Sequence, residues 1–337
     1  MCFWNALWKT KAKTWTFAEL EASQVPDQLP RAVIPDNKAY VTVWLRSLRI
    51  RDVRKGLSRF YGTVHSWISV PYRASLKPAE FQVVAAPNKL KDVDASHVND
   101  VVSMNHRLLG PIPWRGGALE MEVGLFSVKS ADLAAPFISV LEGLSGVAGV
   151  SFISAALPFV NPIKQGIGLL TGSDKDTILE IGLFAADSPP RTGYTCVLKA
   201  DYGKLDTTKL KVNPGDFVLL DGSGKPLDEY AYMLFAIEAS PQRSDWHQIP
   251  EIARLYQELQ EEVRKGSSTE VVQDAFAAFR RGTLTSDDLL FDDAKRLVGE
   301  VEKEMQEVTG VGLTRSVSRE PRGLRALEAI PLFGGAP

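Results

Sequence analysis

The chain is short of the residues that most often carry chemistry. Two cysteines, Cys2 and Cys196, and four histidines stand among 337 residues. Two thiols make neither a disulfide framework nor a four-ligand zinc set, and they suit a reducing, cytoplasmic setting. An excess of either charge is lacking too: 39 Lys and Arg stand against 41 Asp and Glu, a net charge of −2. Nucleic-acid surfaces need a basic excess on one face, so no nucleic-acid partner is expected. A secretory signal is not expected either. Such a signal puts basic residues ahead of an apolar core, whereas here Phe3, Trp4, Leu7 and Trp8 precede Lys9, Lys11 and Lys13.

The short catalytic signatures are missing. There is no G-x-S-x-G elbow, no H-E-x-x-H and no C-x-x-C. Gly222-Ser223-Gly224-Lys225 fails as a phosphate loop: Leu219 stands where the upstream glycine belongs, and Pro226 where Ser or Thr belongs. It reads as a hairpin turn, and Gly172-Ser173-Asp174-Lys175 fails in the same way. Residues 92–100 place oxygen ligands at alternating positions, Asp92, Asp94, Ser96 and Asp100 among them. The central glycine is missing and the twelfth position is Ser103, so the segment is no EF-hand. A solvated loop is the simpler reading, with a loop calcium site as its alternative. Asp245 and His247 could orient each other, with Cys196 as a nucleophile, but no motif surrounds them. His247 reads instead as a junction residue before the helix that follows Pro250. No cofactor and no metal are expected, and no catalytic residue is named.

Charge itself is absent from residues 143–163, GLSGVAGVSFISAALPFVNPI, in a chain that is 24% charged. Such a run must be buried in protein, buried in lipid, or hidden until needed. Residues 133–170 are long enough for one membrane span or a helical hairpin. A permanent span fits poorly. Glycines, serines, Pro158 and Pro162 crowd the segment, and β-type runs flank it on both sides. The reading adopted is a helical hairpin packed over an open sheet face. Val147, Val150, Phe152, Ile153, Leu157 and Phe159 would point several ways on any helix, so a second layer is needed: the C-terminal helices, a sister chain or lipid. Near the N-terminus, Phe3, Trp4, Leu7 and Trp8 followed by lysines make either an interfacial anchor or a docking arm. Cys2 is a candidate for lipidation, though no complete motif surrounds it.

Runs rich in β-branched and aromatic residues follow residue 39: 40–50, 60–70, 81–85, 119–128, 177–186, 194–200, 217–221 and 230–239. Two of them match. Both 119–128 and 177–186 carry Gly-Leu-Phe inside a strand pattern, at Gly124 and Gly182. The apolar segment between them then leaves and rejoins one sheet. From residue 248 the apolar period becomes helical. Ile252, Leu255, Tyr256, Leu259 and Val263 make one face; Val272, Ala275, Phe276 and Phe279 a second; Leu290, Ala294, Leu297, Val298, Val301, Met305 and Val308 a third. Ser286 with Asp287 and Asp288 reads as the start of the third helix and Gly310 as its stop.

The fold expected is mixed and mainly β. An N-terminal arm spans 1–38. An antiparallel β-sandwich or barrel-like domain spans 39–245, with an apolar helical insertion at about 133–172. A small helical domain spans 246–310, and 311–337 forms a tail that is mobile unless a partner holds it. Function follows from surfaces rather than motifs. The expectation is a non-enzymatic, cytoplasmic interaction protein, a subunit or adaptor of an oligomer or complex, whose partners are other protein chains and membrane lipid at a regulated, peripheral contact. Two alternatives stand beside it: a membrane-active effector of pore-forming type held inactive by its C-terminal helices, and a hydrolase with an unrecognised site.

Overall fold

Alternation of buried and exposed residues along Thr16–Leu20 makes the first strand: Thr16, Ala18 and Leu20 are buried while Phe17 and Glu19 face out. This computed structural model describes residues 16–50, 54–55, 58–70, 79–85, 102–129, 177–200, 204–309 and 323–333. In chain order the strands are β1 (Thr16–Leu20), β2 (Tyr40–Arg49), β3 (Arg54–Lys55), β4 (Ser58–Val70), β5 (Ala79–Ala85) and β6 (Val102–Pro113). There follow β7 (Leu119–Lys129), β8 (Thr177–Asp187), β9 (Gly193–Leu198), β10 (Lys211–Val212), β11 (Leu219–Leu220) and β12 (Tyr232–Ser240). The helices are α1 (Pro250–Lys265), α2 (Thr269–Thr285) and α3 (Phe291–Thr309).

The strands form mainly antiparallel sheets. One has the order β1-β9-β12-β2-β6 and another the order β3-β4-β7-β8, with β5 also paired to β4. β10 and β11 make a two-stranded ribbon. Among the described residues neither five-stranded sheet closes into a barrel. The two matching runs are neighbours: β7 and β8 pair antiparallel, with Gly124 directly opposite Gly182. β7 ends at Lys129 and its neighbour β8 begins at Thr177. Residues 130–176, which hold the whole charge-free run, lie outside the described residues.

Four strands escape the reading of the sequence: the two-residue β3 and β10, and the longer β1 and β6. β1 sits inside the segment 1–38 and pairs with β9 in full register, Thr16 to Leu198 through Leu20 to Tyr194. β6 forms the other edge of the same sheet. Asn105, in the left-handed region at φ 38°, and the Gly110–Pro111 pair interrupt its alternation, and its pairing with β2 shifts register three times. An edge strand tolerates such breaks because one side of its backbone needs no partner. The strand expected over 217–221 shrinks to Leu219–Leu220, since Phe217 takes a φ of 58°.

Both faces of the first sheet are covered, so its central strand β12 begins as a continuous apolar run, Tyr232 to Ile237, rather than an alternating one. Along β12, Met233 and Phe235 point to one face, and Tyr232, Leu234 and Ala236 to the other. The first face shares one apolar cluster with the second sheet. Val41, Val43 and Leu45 of β2 meet Val64 and Ile68 of β4 and Val123 and Leu125 of β7. The opposite face is covered by the chain between β9 and β12, through Leu210, Val212, Leu219 and Leu227.

The helices bury the stripes that their spacing predicts. Ile252, Leu255, Tyr256 and Leu259 of α1, Val272 and Phe279 of α2, and Ala294, Leu297, Val298 and Val301 of α3 share one cluster, with Val263, Ala275, Phe276, Met305 and Val308 packed against it. α1 starts on Pro250, whose missing N–H would have no partner there. It ends where Gly266 turns left-handed at φ 67° and donates to Val263 O, while Ser267 N reaches Glu262 O at 3.2 Å. The third helix starts later than Ser286 and its two aspartates suggest. Ser286 closes α2 instead, through a bond from its N–H to Thr283 O, and its Oγ accepts from Asp288 N. Tyr40 Oη accepts the Leu290 N–H at 3.1 Å, and α3 begins one residue later.

Candidate functional site

The residues singled out on the charge-free run and the N-terminal arm are Cys2, Phe3, Trp4, Leu7, Trp8, Val147, Val150, Phe152, Ile153, Leu157 and Phe159. All lie outside the described residues, as do Asp92 through Asp100. Among the described residues no helix is long and apolar enough to cross a membrane. None of these residues groups three or more His, Cys, Asp and Glu side chains that could hold a metal.

The candidates that the structure does place are occupied by structural work. Asp221 Oδ1 accepts from Ser223 N at 2.8 Å, Ser223 Oγ at 2.7 Å and Lys225 N at 3.0 Å. These bonds close the turn at Gly222–Lys225 on itself, so its amides are not aimed at a phosphate. Cys196 is fully buried on β9, and burial pushes its thiol up to about 12. A neutral buried thiol is a core residue, not a nucleophile. Asp245 binds Arg243 Nε at 2.8 Å and faces Arg107 at 3.9 Å. His247 instead stands edge-on to Trp246 at 5.9 Å, with Gln248 3.3 Å from its Nε2.

Two polar clusters had no signature in the sequence. On the outer face of the first sheet, the Arg46 guanidinium lies 4.8 Å from the Trp44 ring and 4.9 Å from the Phe217 ring. It bonds Asn105 Oδ1 and Glu238 Oε1, and Trp44 Nε1 donates to Glu238 Oε2 at 2.9 Å. Charge is balanced within the group, which marks a pin under the 213–218 turn rather than a receptor.

The second cluster ties sheet to helices. Three successive residues between α2 and α3 are each gripped by a side chain from the β region. Arg243 Nη1 donates to Asp288 O at 2.8 Å, Arg115 Nη2 to Leu289 O at 3.2 Å, and Leu290 N to Tyr40 Oη at 3.1 Å. Tyr40 in turn donates to Asp293 Oδ2 at 2.5 Å. Burial holds the Asp293 carboxyl above its ordinary range; the Tyr40 bond and Arg296 pull it back only in part. Burial and the Asp293 bond push the Tyr40 phenol up in the same way. Among the described residues Tyr40 is the one side chain before Trp246 in the helical core. The helices thus have a core of their own and meet the sheet largely through polar contacts.

One open concavity lies on the helical unit. It holds about 490 Å³ at the end where α1 turns into α2 and α3 finishes. Val263, Val272, Phe276, Met305 and Val308 make its apolar floor; Arg264, Ser267, Thr269, Gln273, Glu302 and Gln306 make a polar rim. Gly323 also lines it, and from there the chain runs away along the helices. Residues 323–333 of the segment read as a mobile tail are held by the helices of their own chain. Leu324, Ile330 and Leu332 are buried in the helical core. Sequence spacing could not find this seat, because a segment in extended and 3₁₀ conformation has no helical period to read.

Against known protein families, curated proteins and solved structures, the chain matches none.

Proposed function

We propose that this protein acts by docking another protein chain, and that the open cleft on its helical unit is where that chain binds. The observation that carries the reading is the makeup of the cleft: about 490 Å³, with an apolar floor and a polar rim. That volume lies within the range of clefts that enclose most of a drug-sized ligand, which leaves room for several side chains of a docked segment. Its ionisable lining residues are Arg264 and Glu302, which supports binding over chemistry. The sheets would serve as scaffold. A single apolar cluster drawing residues from both five-stranded sheets supports reading them as the two layers of one sandwich. The sparse cysteines favour a cytoplasmic setting, with the protein a subunit or adaptor of an assembly.

Photo-crosslinking residues placed at Gln273 and at Gln306 test the reading in the full chain. One shared partner should be captured from both positions, and Thr269→Lys or Phe276→Glu should abolish capture while the circular dichroism spectrum is kept. Capture of no shared partner, or capture that survives both substitutions, would refute it.

A further inference from the structure

Residues 323–333 are held largely by side chains of the helices that reach for their main chain. Gln260 Nε2 donates to Arg325 O at 2.6 Å, and Tyr256 Oη to the same carbonyl at 3.0 Å. Arg296 Nη1 donates to Leu332 O at 3.0 Å, and Glu304 Oε1 accepts the Arg325 N–H. The Arg325 side chain adds an ion pair, its Nε 3.3 Å from Glu304 Oε2. Tyr256 and Gln260 belong to α1, Arg296 and Glu304 to α3. Both helices pack on α2, and the segment is bonded to each of them.

This is how a groove holds a peptide guest: polar contacts fix its main chain, and a few buried side chains give specificity. The anchors are Leu324, Ile330 and Leu332, exposed by 9%, 3% and 1%. Regular structure within the segment is limited to the single 3₁₀ turn Leu327–Ala329. The groove does not stop where the segment begins. Gly323 lines the open cleft, so the apolar floor of Val263, Val272, Phe276, Met305 and Val308 continues the same surface.

We infer that the groove between α1 and α3 is a docking site for an extended segment of another protein chain, with residues 323–333 as its resident occupant. The inference rests on the docking reading above and names the partner's chemistry. The partner carries Leu-Arg, four residues, then an apolar residue, any residue and a second apolar residue, as Leu324, Arg325, Ile330 and Leu332 do here. An apolar residue upstream of its Leu-Arg pair would enter the cleft that the resident segment leaves open. That additional burial is what allows a partner to displace a tethered occupant. Being part of the same chain, the resident rebinds as an intramolecular event, so a free copy of the same peptide at micromolar concentration competes poorly.

The test uses the full chain with a specific protease site placed within residues 310–322 and a fluorescein-labelled peptide of sequence 323–333 as the probe. Before cleavage the probe should bind weakly. After cleavage and desalting it should bind at least about 30-fold more tightly, as the advantage of an occupant in the same chain is removed. Glu304→Ala in the cleaved protein should reverse that gain. In the uncut protein, amides of 323–333 should exchange with solvent faster than the central amides of α1 and α3. The inference is overturned if the cleaved segment stays bound and never exchanges with probe, or if its departure unfolds the helices. Equal protection of segment and helices in the uncut protein would overturn it too. In each of those cases, crosslinking from Gln273 and Gln306 still reports separately on the docking reading.

Discussion

Replacing Tyr40 with Phe removes one oxygen and should loosen the joint between sheet and helices. The hydroxyl donates to Asp293 Oδ2 at 2.5 Å and accepts from Leu290 N at 3.1 Å, and Tyr40 is 1% exposed. A hydrogen bond to a charged acceptor contributes about 1.5–3 kcal/mol, and a buried N–H left without a partner costs about 1–3 kcal/mol. Asp293 keeps Arg296 at 3.2 Å, which softens the loss. The net expectation is a destabilisation of about 3 kcal/mol at pH 7. Acid should reduce it. The folded-state value of Asp293 lies above its ordinary 3.8, raised by burial. Stability from such a carboxyl is fully present below its unfolded value and is lost as pH rises through the folded one. Without the Tyr40 bond the carboxyl rises further, so the variant's loss grows as pH rises and the carboxyl ionises, and it should be larger at pH 7 than near pH 4. Urea unfolding at both pH values gives the two differences, and hydrogen exchange at residues 288–290 locates them. A loss under 1 kcal/mol, or a larger loss in acid than at neutrality, would refute the account of this joint.

Further expectations concern the core and the candidates that carry no chemistry. Phe279→Ala, at a fully buried ring 5.6 Å from Tyr256, should cost about 3–5 kcal/mol in urea unfolding. A cost below 1 kcal/mol would mean that the three helices do not share the core described. Cys196, its thiol raised to about 12 by burial, should react with a thiol reagent only once the protein is denatured; fast labelling of native Cys196 would contradict its placement. Asp221→Ala should speed hydrogen exchange at Ser223 and Lys225, and ATP should show no saturable binding to the parent protein. Tight ATP binding lost on Lys225→Ala would overturn the turn assignment.

Periodicity alone was enough for the helical unit. Each position from Ile252 to Val308 that was singled out by three- and four-residue spacing packs in one cluster, because on a helix that spacing decides which face meets the core. The β runs were legible as texture, and the matching runs at Gly124 and Gly182 announced strands that turn out to be neighbours. Pairing and seating belonged to the tertiary structure. β1 exists as a strand because β9, some 180 residues away, offers it an edge. β6 holds despite its broken alternation because it needs a partner on one side only. The late start of α3 follows from a tyrosine 250 residues earlier. The groove that seats residues 323–333 needs Tyr256, Gln260, Arg296 and Glu304 from two helices at once. Local patterns reveal which face of an element is apolar. Which distant group meets that face depends on the shape and polarity of both partners, and those come together only on folding.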